Sequence, residues 1–417
     1  MTLGRVTPPT LDRTRALMGA MGDPQQAFGV VHITGTNGKG STAAMVTALL
    51  AARGLSVGTY TSPNLHRVNE RLAINGEPIA DDALAEALEA VAGIEALVGV
   101  AAHRFEVLTA AAYRWFADSA VDVAVVEVGL GGRWDATNVA DGAVAVVTNV
   151  SADHLEILGP TPLDVAAEKA GIVKPGCRLV VGETDLALAS PFLEQAAEVG
   201  AETVWMRGVD FGADDNRVAH GGRMAHLWTP ASRYEDVFLP AYGGHQADNA
   251  AVALAASEAF VSTPLEDRLL RQCFATLALP GGRLEVVGRQ PLVLLDGAHN
   301  VAGMQALAAA LADDFGSINE RVVVVGLLAG RDPEAMLAPL AGSATRLVVA
   351  CPPPSPRAMP AAAVAAAARR LGMVGEEAAD LPAALARAAA TARPTDLVLV
   401  TGSLHLVGPA RAHLLSQ

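Results

Sequence analysis

At about 150 residues per domain, the 417 residues correspond to two or three domains. A 51% hydrophobic content can fill large cores, and the 40 glycines and 24 prolines are too scattered for a collagen-like or low-complexity chain. Thirty basic residues against 44 acidic ones give a net charge of −14, which argues against nucleic acid and against an anionic membrane as partners.

From residue 28 the chain alternates strand and helix signals. Residues 28–33 are a short apolar run, followed by a glycine-rich turn and a helical stretch over 41–53. Residues 57–60 read as a strand, and 81–98 and 105–117 as helices. The continuous β-branched runs 121–128 and 143–150 are expected of strands buried on both faces. Thr161, Pro162 and Asp164 form a helix start: an N-cap, a proline at the first helical position and an acid three residues after the cap. That helix carries Glu168 and Lys169 and is expected to stop at Gly171. Residues 177–181 read as a strand, 203–240 as a more polar, hairpin-rich excursion, and 245–261 and 265–277 as helices. The turn-rich segment Leu279-Pro280-Gly281-Gly282-Arg283 is the expected linker. Beyond it, strands are expected at 291–295, 322–325, 346–350 and 396–400, with alanine-rich helices between them, and Pro352-Pro353-Pro354 as a loop. The fold class is α/β with two domains: an N-terminal P-loop-type domain with a mostly parallel sheet over 1–282, and a smaller Rossmann-like C-terminal domain over 283–417.

The three cysteines lie far apart, which points to a reducing compartment. No charged segment followed by an apolar stretch opens the chain and no run of 18 apolar residues occurs, so a cytoplasmic protein is expected. The basic residues are unevenly composed: Lys39, Lys169 and Lys174 are the three lysines among 27 arginines. Lysine differs from arginine in that its amine can lose its proton and react, so either compositional bias or chemistry accounts for these three.

The strongest local signal is Thr34-Gly35-Thr36-Asn37-Gly38-Lys39-Gly40-Ser41, between a strand and a helix. Glycines let backbone N–H groups curl inward, the helix N-terminus adds partial positive charge, and Lys39 can reach the β/γ-phosphates of a nucleotide. The strict P-loop pattern is broken, because Ile33 stands at its first glycine and Gly40 separates Lys39 from Ser41. Such a loop needs a carboxylate for Mg²⁺ at the end of a neighbouring strand. Glu127 ends the run 121–128, where a glutamate is costly to bury unless it is paired or bound to metal. The following Gly129-Leu130-Gly131-Gly132 resembles part of a dinucleotide fingerprint, but Trp134 stands where its third glycine belongs, so a dinucleotide site is rejected. Arg133, Asp135 and His154 follow strand ends, where α/β sites lie. Asp296 and His299, in Leu295-Asp296-Gly297-Ala298-His299-Asn300, are placed the same way, although a helix-capping turn explains that segment equally well.

Together the motifs resemble the folylpolyglutamate synthase and dihydrofolate synthase branch of the Mur ligases. The pieces run in the family's order: Gly35 to Ser41; Thr61-Ser62-Pro63-Asn64-Leu65; Asn69-Glu70-Arg71-Leu72; Phe105-Glu106 with Thr109; Glu127 to Arg133 with Asp135 and Asn138; Asp153-His154 with Leu158-Gly159; Glu168 to Lys174; His245-Gln246 with Asn249; Asp296 to Asn300; and Thr401-Gly402-Ser403-Leu404. The resemblance implies a bifunctional, monomeric ligase that adds L-glutamate to dihydropteroate and to reduced folates with ATP, through an acyl phosphate. It implies that Thr36, Asn37, Gly38, Lys39, Gly40, Ser41, Asn249, Arg283, Asp296 and His299 contact ATP. Ser62 and Glu127 would hold one Mg²⁺. His154 would hold a second with Lys169, the latter as a carbamate formed with CO₂. Lys39, Lys169 and His154 would be the catalytic group, and Phe105, Glu106 and Asp135 would lie on the pterin side. Lys174 is expected to be a solvated turn residue. Asn64 departs from the histidine usual in the Ser-Pro-His-Leu segment, Gly282 is an extra residue before Arg283, and His405 stands where an aromatic is common. A phosphate-loop kinase, a non-catalytic nucleotide-binding module and a peptidoglycan-type Mur ligase are the rival readings. A second domain with Asp296 and His299 at a strand end counts against the first two. The Gly38-Lys39-Gly40-Ser41 ending and the Ser62-Pro63 segment favour the folate branch over the third.

Overall fold

The computed structural model describes residues 10–318, 320–341 and 344–416. Seventeen strands are named in chain order. The first sheet contains β1 (Gly29–Thr34), β2 (Val57–Tyr60), β3 (Leu72–Ile74), β4 (Glu77–Pro78), β5 (Val123–Glu127), β6 (Val144–Val147), β7 (Arg178–Val181) and β8 (Thr203–Met206), in the order β4-β3-β2-β5-β1-β6-β7-β8. The pairs from β2 to β8 are parallel and β3 pairs antiparallel on either side, so five parallel pairings form the body and a short meander forms one edge. Val31, Ile33, Val123, Val125, Val144 and Val146 are fully buried, as are the alternating Ala124, Val126, Ala145 and Val147. Both faces are covered, which is why these strands read as unbroken apolar runs.

β1 lies between β5 and β6, although both come much later in the chain. This is a topological switch point, and loops leaving the carboxyl ends of such strands diverge to form a crevice. The β1 loop leads into helix Lys39–Ala52, the β5 loop runs through the 3₁₀ turn Ala136–Val139, and the β6 loop ends at His154. Strand signals had extended to 128 and 150. The strands stop at Glu127 and Val147, while Val128 and Val150 stay buried in the loops. Thr161 caps helix Pro162–Lys169 with a reciprocal Thr161–Asp164 capping box, as its sequence signal required. Helix Leu186–Val199, which carries Pro191, and helix Asp12–Ala20 add to the expected elements.

β9 (Gly212–Ala219), β10 (Gly222–Trp228) and β11 (Arg233–Leu239) form a three-stranded sheet, the expected hairpin-rich excursion. The third sheet has the order β12-β13-β17-β14-β15-β16, with β12 (Glu285–Arg289), β13 (Leu292–Leu295), β14 (Arg321–Val325), β15 (Thr345–Ala350), β16 (Gly375–Glu377) and β17 (Leu397–Thr401). Only β12 runs antiparallel in it. Leu294, Val323, Val325, Val348, Ala350, Leu397 and Leu399 share a core with Met304, Leu307, Leu337 and Val364 of its helices.

The chain divides into two compact units. The first runs to Ala213 and takes in Leu227–Glu235 and Asp248–Phe274; the second holds Asp214–His226, Asp236–Ala247 and everything from Ala275. The boundary expected at 282/283 therefore falls inside the second unit, which also recruits two pieces of the excursion. A buried ion pair ties those pieces to the rest of the second unit. Arg223 Nη1 meets Asp314 Oδ1 at 2.8 Å, with side-chain exposures of 5% and 0%. Arg223 Nε also donates to Asn216 Oδ1 at 2.6 Å, and Gly243 N donates to Asp314 Oδ2 at 2.7 Å. A partner 91 residues away leaves no local sequence signal. Asp314→Ala would leave Arg223 buried and uncompensated, so a loss of about 3–5 kcal/mol is expected in urea unfolding of the second unit. A loss below about 1 kcal/mol would contradict this role of the pair.

Candidate active site

The loop after β1 is pinned to the loop after β6. Thr36 N donates to the Asn149 carbonyl at 2.9 Å, Asn37 N to Asn149 Oδ1 at 3.0 Å, and Thr148 Oγ1 to the Asn37 carbonyl at 2.6 Å. Ser151 N donates to Thr36 Oγ1 at 3.0 Å. Gly38 caps helix Lys39–Ala52 at φ +84°, where a Cβ would be strained and would also stand 2.5 Å from Asn249 Oδ1. Glycine thus lets buried Asn249 close on the helix N-terminus, with Gly40 and buried Ser41 in its first turn. Thr148 and Asn149 were not singled out in the sequence. Their signal is a polar pair directly after an apolar strand.

Lys39 and Lys169 converge on one atom. Lys39 Nζ donates to the Gly35 carbonyl at 3.0 Å and to the Thr36 carbonyl at 3.2 Å, and Lys169 Nζ donates to the same Gly35 carbonyl at 2.9 Å. Lys169 is only 4% exposed. Burial, and then the charge of Lys39, bring its pKa down to about 7, against the opposing pull of Asp153, Asp135 and Glu168. Lys169 reaches Gly35 because its backbone lies on the loop after β5. A Cβ on Gly132 would come 2.7 Å from the Lys169 carbonyl oxygen, and one on Gly171 2.3 Å from Arg133 Cβ. The glycines that resembled a broken dinucleotide fingerprint therefore serve close approach of two backbone segments.

Glu127 is level with Ile33 across the β1–β5 ladder, so its carboxylate stands at the carboxyl end of the switch point. It is buried, it accepts from Ser62 N at 3.0 Å, and a Cβ on Gly40 would lie 3.6 Å from its Oε2. Glu127, Ser62 and the first turn of the phosphate-loop helix thus meet. The His154 ring lies 3.7 Å from Asp153 Oδ1 and 3.7 Å from Glu156 Oε1, outside that group but on the loop whose Asp153 faces Lys169 electrostatically. A buried carboxylate beside a serine at the strand ends is the kind of oxygen donor that suits a hard divalent cation. Asn64 Oδ1 accepts from Arg71 Nε at 2.8 Å, which gives the unusual asparagine a place in the loop.

On the proposed pterin side, Phe105 packs 5.9 Å from the Tyr60 ring and lies against Gly129. Glu106 is occupied: Arg13 Nε donates to it at 3.0 Å, and His103 N at 2.6 Å closes the cap of helix Arg104–Asp118. Asp135 is buried and accepts from Leu130 N at 3.0 Å, Thr137 N at 3.0 Å and Thr137 Oγ1 at 2.5 Å. Burial still pushes its pKa up. Because that hydroxyl is spent on Asp135, the His32 Nε2 at 2.9 Å from Thr137 Oγ1 is the donor, and burial drops the His32 pKa to about 3. These bonds make Asp135 a clamp on its own loop. Lys174, expected in solvent, is instead bonded: its Nζ donates to the Asn138 carbonyl at 3.3 Å and lies 3.6 Å from Asp141 Oδ1.

In the second unit, Asp296 accepts from Leu284 N at 3.0 Å and Ala298 N at 2.9 Å, and burial raises its pKa against the nearby Arg283 charge. Arg283 Nη1 donates to the Gly282 carbonyl at 3.3 Å. The extra Gly282 takes φ +71° in a turn whose N–H donates to Glu285 Oε2 at 2.8 Å. His299 Nδ1 lies 2.8 Å from the Gly297 carbonyl, and Asn300 caps helix Val301–Asp313. Arg283, Asp296 and His299 therefore gather around one strand-end turn of the second unit.

Residues 33–257 match the Mur ligase middle domain and 282–404 the Mur ligase glutamate ligase domain. Those two matches define the class, a Mur ligase carrying a glutamate-ligase module. The dihydrofolate synthase/folylpolyglutamate synthase of Mycobacterium tuberculosis is 39% identical over 381 residues, which is 86% of this chain and 77% of that one. A crystal structure of the M. tuberculosis folylpolyglutamate synthase complexed with ADP and AMPPCP matches with TM-score 0.92 and 37% identity, covering 97% of this chain and 95% of that chain. A bifunctional folylpolyglutamate synthase/dihydrofolate synthase with Mn, AMPPNP and L-glutamate bound matches with TM-score 0.85 and 31% identity, covering 98% and 95%. The chain belongs to the folylpolyglutamate synthase/dihydrofolate synthase family of Mur ligases. Among the described residues no helix is long and apolar enough to cross a membrane.

The lowered Lys169 pKa has a defined sign in stability. Between about 7 and the ordinary 10.5 the unfolded chain holds a proton that the folded chain has released. Stability from this group is therefore least below 7 and rises with pH through that window. In CO₂-free buffer the unfolding free energy of the wild type should rise relative to Lys169→Met as pH goes from 7 to 10. Parallel curves over that range would contradict the assignment.

Proposed function

We propose that the chain is an ATP-dependent carbon–nitrogen ligase that joins L-glutamate to dihydropteroate and to reduced folate glutamates. The observation that carries this reading is the convergence of Lys39 and Lys169 on the Gly35 carbonyl of a phosphate loop, beside buried Glu127, in a member of this family. The reading carries with it a cytoplasmic, monomeric enzyme.

The nucleotide phosphates would take the N–H groups of Thr36 to Ser41, and Lys39 would exchange its loop carbonyls for phosphate oxygens. Asn249, at the helix cap, and Arg283, Asp296 and His299, at their own strand end, are the further nucleotide contacts in this reading. Ser62 and Glu127 would hold one Mg²⁺, and His154 with Lys169 a second. Bound Mg²⁺ would neutralise charge on the phosphoryl oxygens. The Lys169 amine, free of its proton near neutral pH, can add to CO₂. An N–C bond forms, one proton leaves, and a neutral amine becomes an anion with two oxygens suited to a hard metal. Arginine could not do this.

The γ-phosphoryl group passes from ATP to a carboxylate oxygen of the acceptor, giving ADP and an acyl phosphate. The glutamate amine then attacks the acyl carbon, the bond to the phosphate oxygen breaks, and the amine loses a proton. The side chains position the reactants and oppose developing negative charge rather than exchanging bonds themselves. Phe105 would line the pterin side. Glu106 and Asp135 would act there through the loop and helix they hold, since their carboxylate oxygens are already engaged.

Purified protein is expected to release phosphate from ATP only when L-glutamate and either dihydropteroate or tetrahydrofolate are present together. Glutamate-independent turnover to a stable phosphorylated product would establish a kinase instead.

A further inference from the structure

We propose that Asn138 is the positioning residue that holds Lys169 at the phosphate loop. Its amide nitrogen carries two N–H groups and uses them on two different segments. One donates to the Arg133 carbonyl at 3.0 Å, in the loop after β5, and the other to the Gly171 carbonyl at 3.0 Å, just past the helix that ends at Lys169. A second tie runs between the same segments, from Arg133 N to the Glu168 carbonyl at 2.9 Å. The Asn138 side chain is therefore a bolt through both backbones, two residues from Lys169 on one side.

Three features mark the bolt as specific. Asn138 is only 4% exposed, and its Oδ1 is buried without a hydrogen-bond partner among the described residues. The amide is thus held for its donors alone, and the opposite flip would aim its oxygen at two carbonyls. A charged residue able to donate twice would be costly to bury here, so a neutral carboxamide is the side chain the site admits. Lys174 fixes the Asn138 main chain by donating to its carbonyl at 3.3 Å, and Asp135 fixes the start of the same turn by accepting from Thr137 N at 3.0 Å. The side chain is anchored from both ends before it reaches across. The contact surface it fastens has no slack, because Gly132 and Gly171 already meet backbone and Cβ atoms at distances no side chain would allow. Releasing the bolt lets the end of the Lys169 helix lift away from the loop, which moves Nζ off the Gly35 carbonyl. The catalytic consequence rests on the ligase reading; the placement of Lys169 does not.

The test uses Asn138→Ala and the isosteric Asn138→Asp in the full-length protein, with amine acetylation by acetic anhydride read by peptide mass spectrometry. With Lys39, Lys169 and Lys174 the three lysines of the chain, each amine can be followed separately. Lys169 labelling relative to Lys39 is expected to rise about fivefold or more in both variants under native conditions, through local opening of the helix end. A role in global stability alone would raise both lysines together or neither. The kcat of glutamate ligation is expected to fall about tenfold or more with KM for ATP within about twofold, since Thr148 and Asn149 still hold the phosphate loop. A wild-type labelling ratio in both folded variants would overturn the proposal. A raised ratio with unchanged kcat would uphold the positioning and remove Lys169 from the reaction, which separates this inference from the proposed function.

Discussion

Two lysine amines sharing one carbonyl oxygen set the terms for the rest of the first unit. Lys39 and Lys169 both bond the Gly35 oxygen, so their nitrogens lie within about 6 Å of each other, and full charges at that spacing repel by about 3 kcal/mol at an effective dielectric near 20. One of the two is nearly excluded from water. The protein meets this by letting Lys169 release its proton near neutrality, while Lys39, at the helix N-terminus, faces the place where polyphosphate would sit. An anionic ligand on one side and an anionic modification on the other would both relieve the same frustration. The arrangement is thus poised for binding.

That constraint needs rigid support, and the loops around β1 supply it. Strand β1 holds the loop after β5 through Thr34 Oγ1, which donates to the Gly131 carbonyl at 2.7 Å, and through His32 and Thr137. The loop after β6 holds the phosphate loop through Thr148 and Asn149. Each lysine of the chain ends on a main-chain carbonyl of one of these loops. An acidic chain of net charge −14 thus ends all three of its lysines on these loops.

Much of this was legible in the sequence because it is local. The glycine-rich turn between an apolar run and a helix, the Thr161–Asp164 capping box, and a glutamate closing a buried strand each carry a short-range physical reason. The rest depends on partners distant in the chain. Arg13 reaches Glu106 across 93 residues and occupies a carboxylate that seemed free. Arg223, in the excursion, pairs with Asp314 across 91 residues. Gly131, Gly132 and Gly171 looked like a failed nucleotide fingerprint and a helix stop. Their reason is a backbone contact between two segments, which no spacing within either segment reveals. Asn138 could be quoted as part of a motif, but the bolt it forms exists only once both carbonyls are in place.

The central claim is that the Lys169 amine is neutral, buried and able to take up CO₂. Carbon-13 NMR of protein equilibrated with ¹³C-labelled bicarbonate near pH 8 tests it directly. The account predicts a carbamate resonance in the wild type that is absent from Lys169→Met. No carbamate resonance in the wild type, or one that survives loss of Lys169, would contradict it.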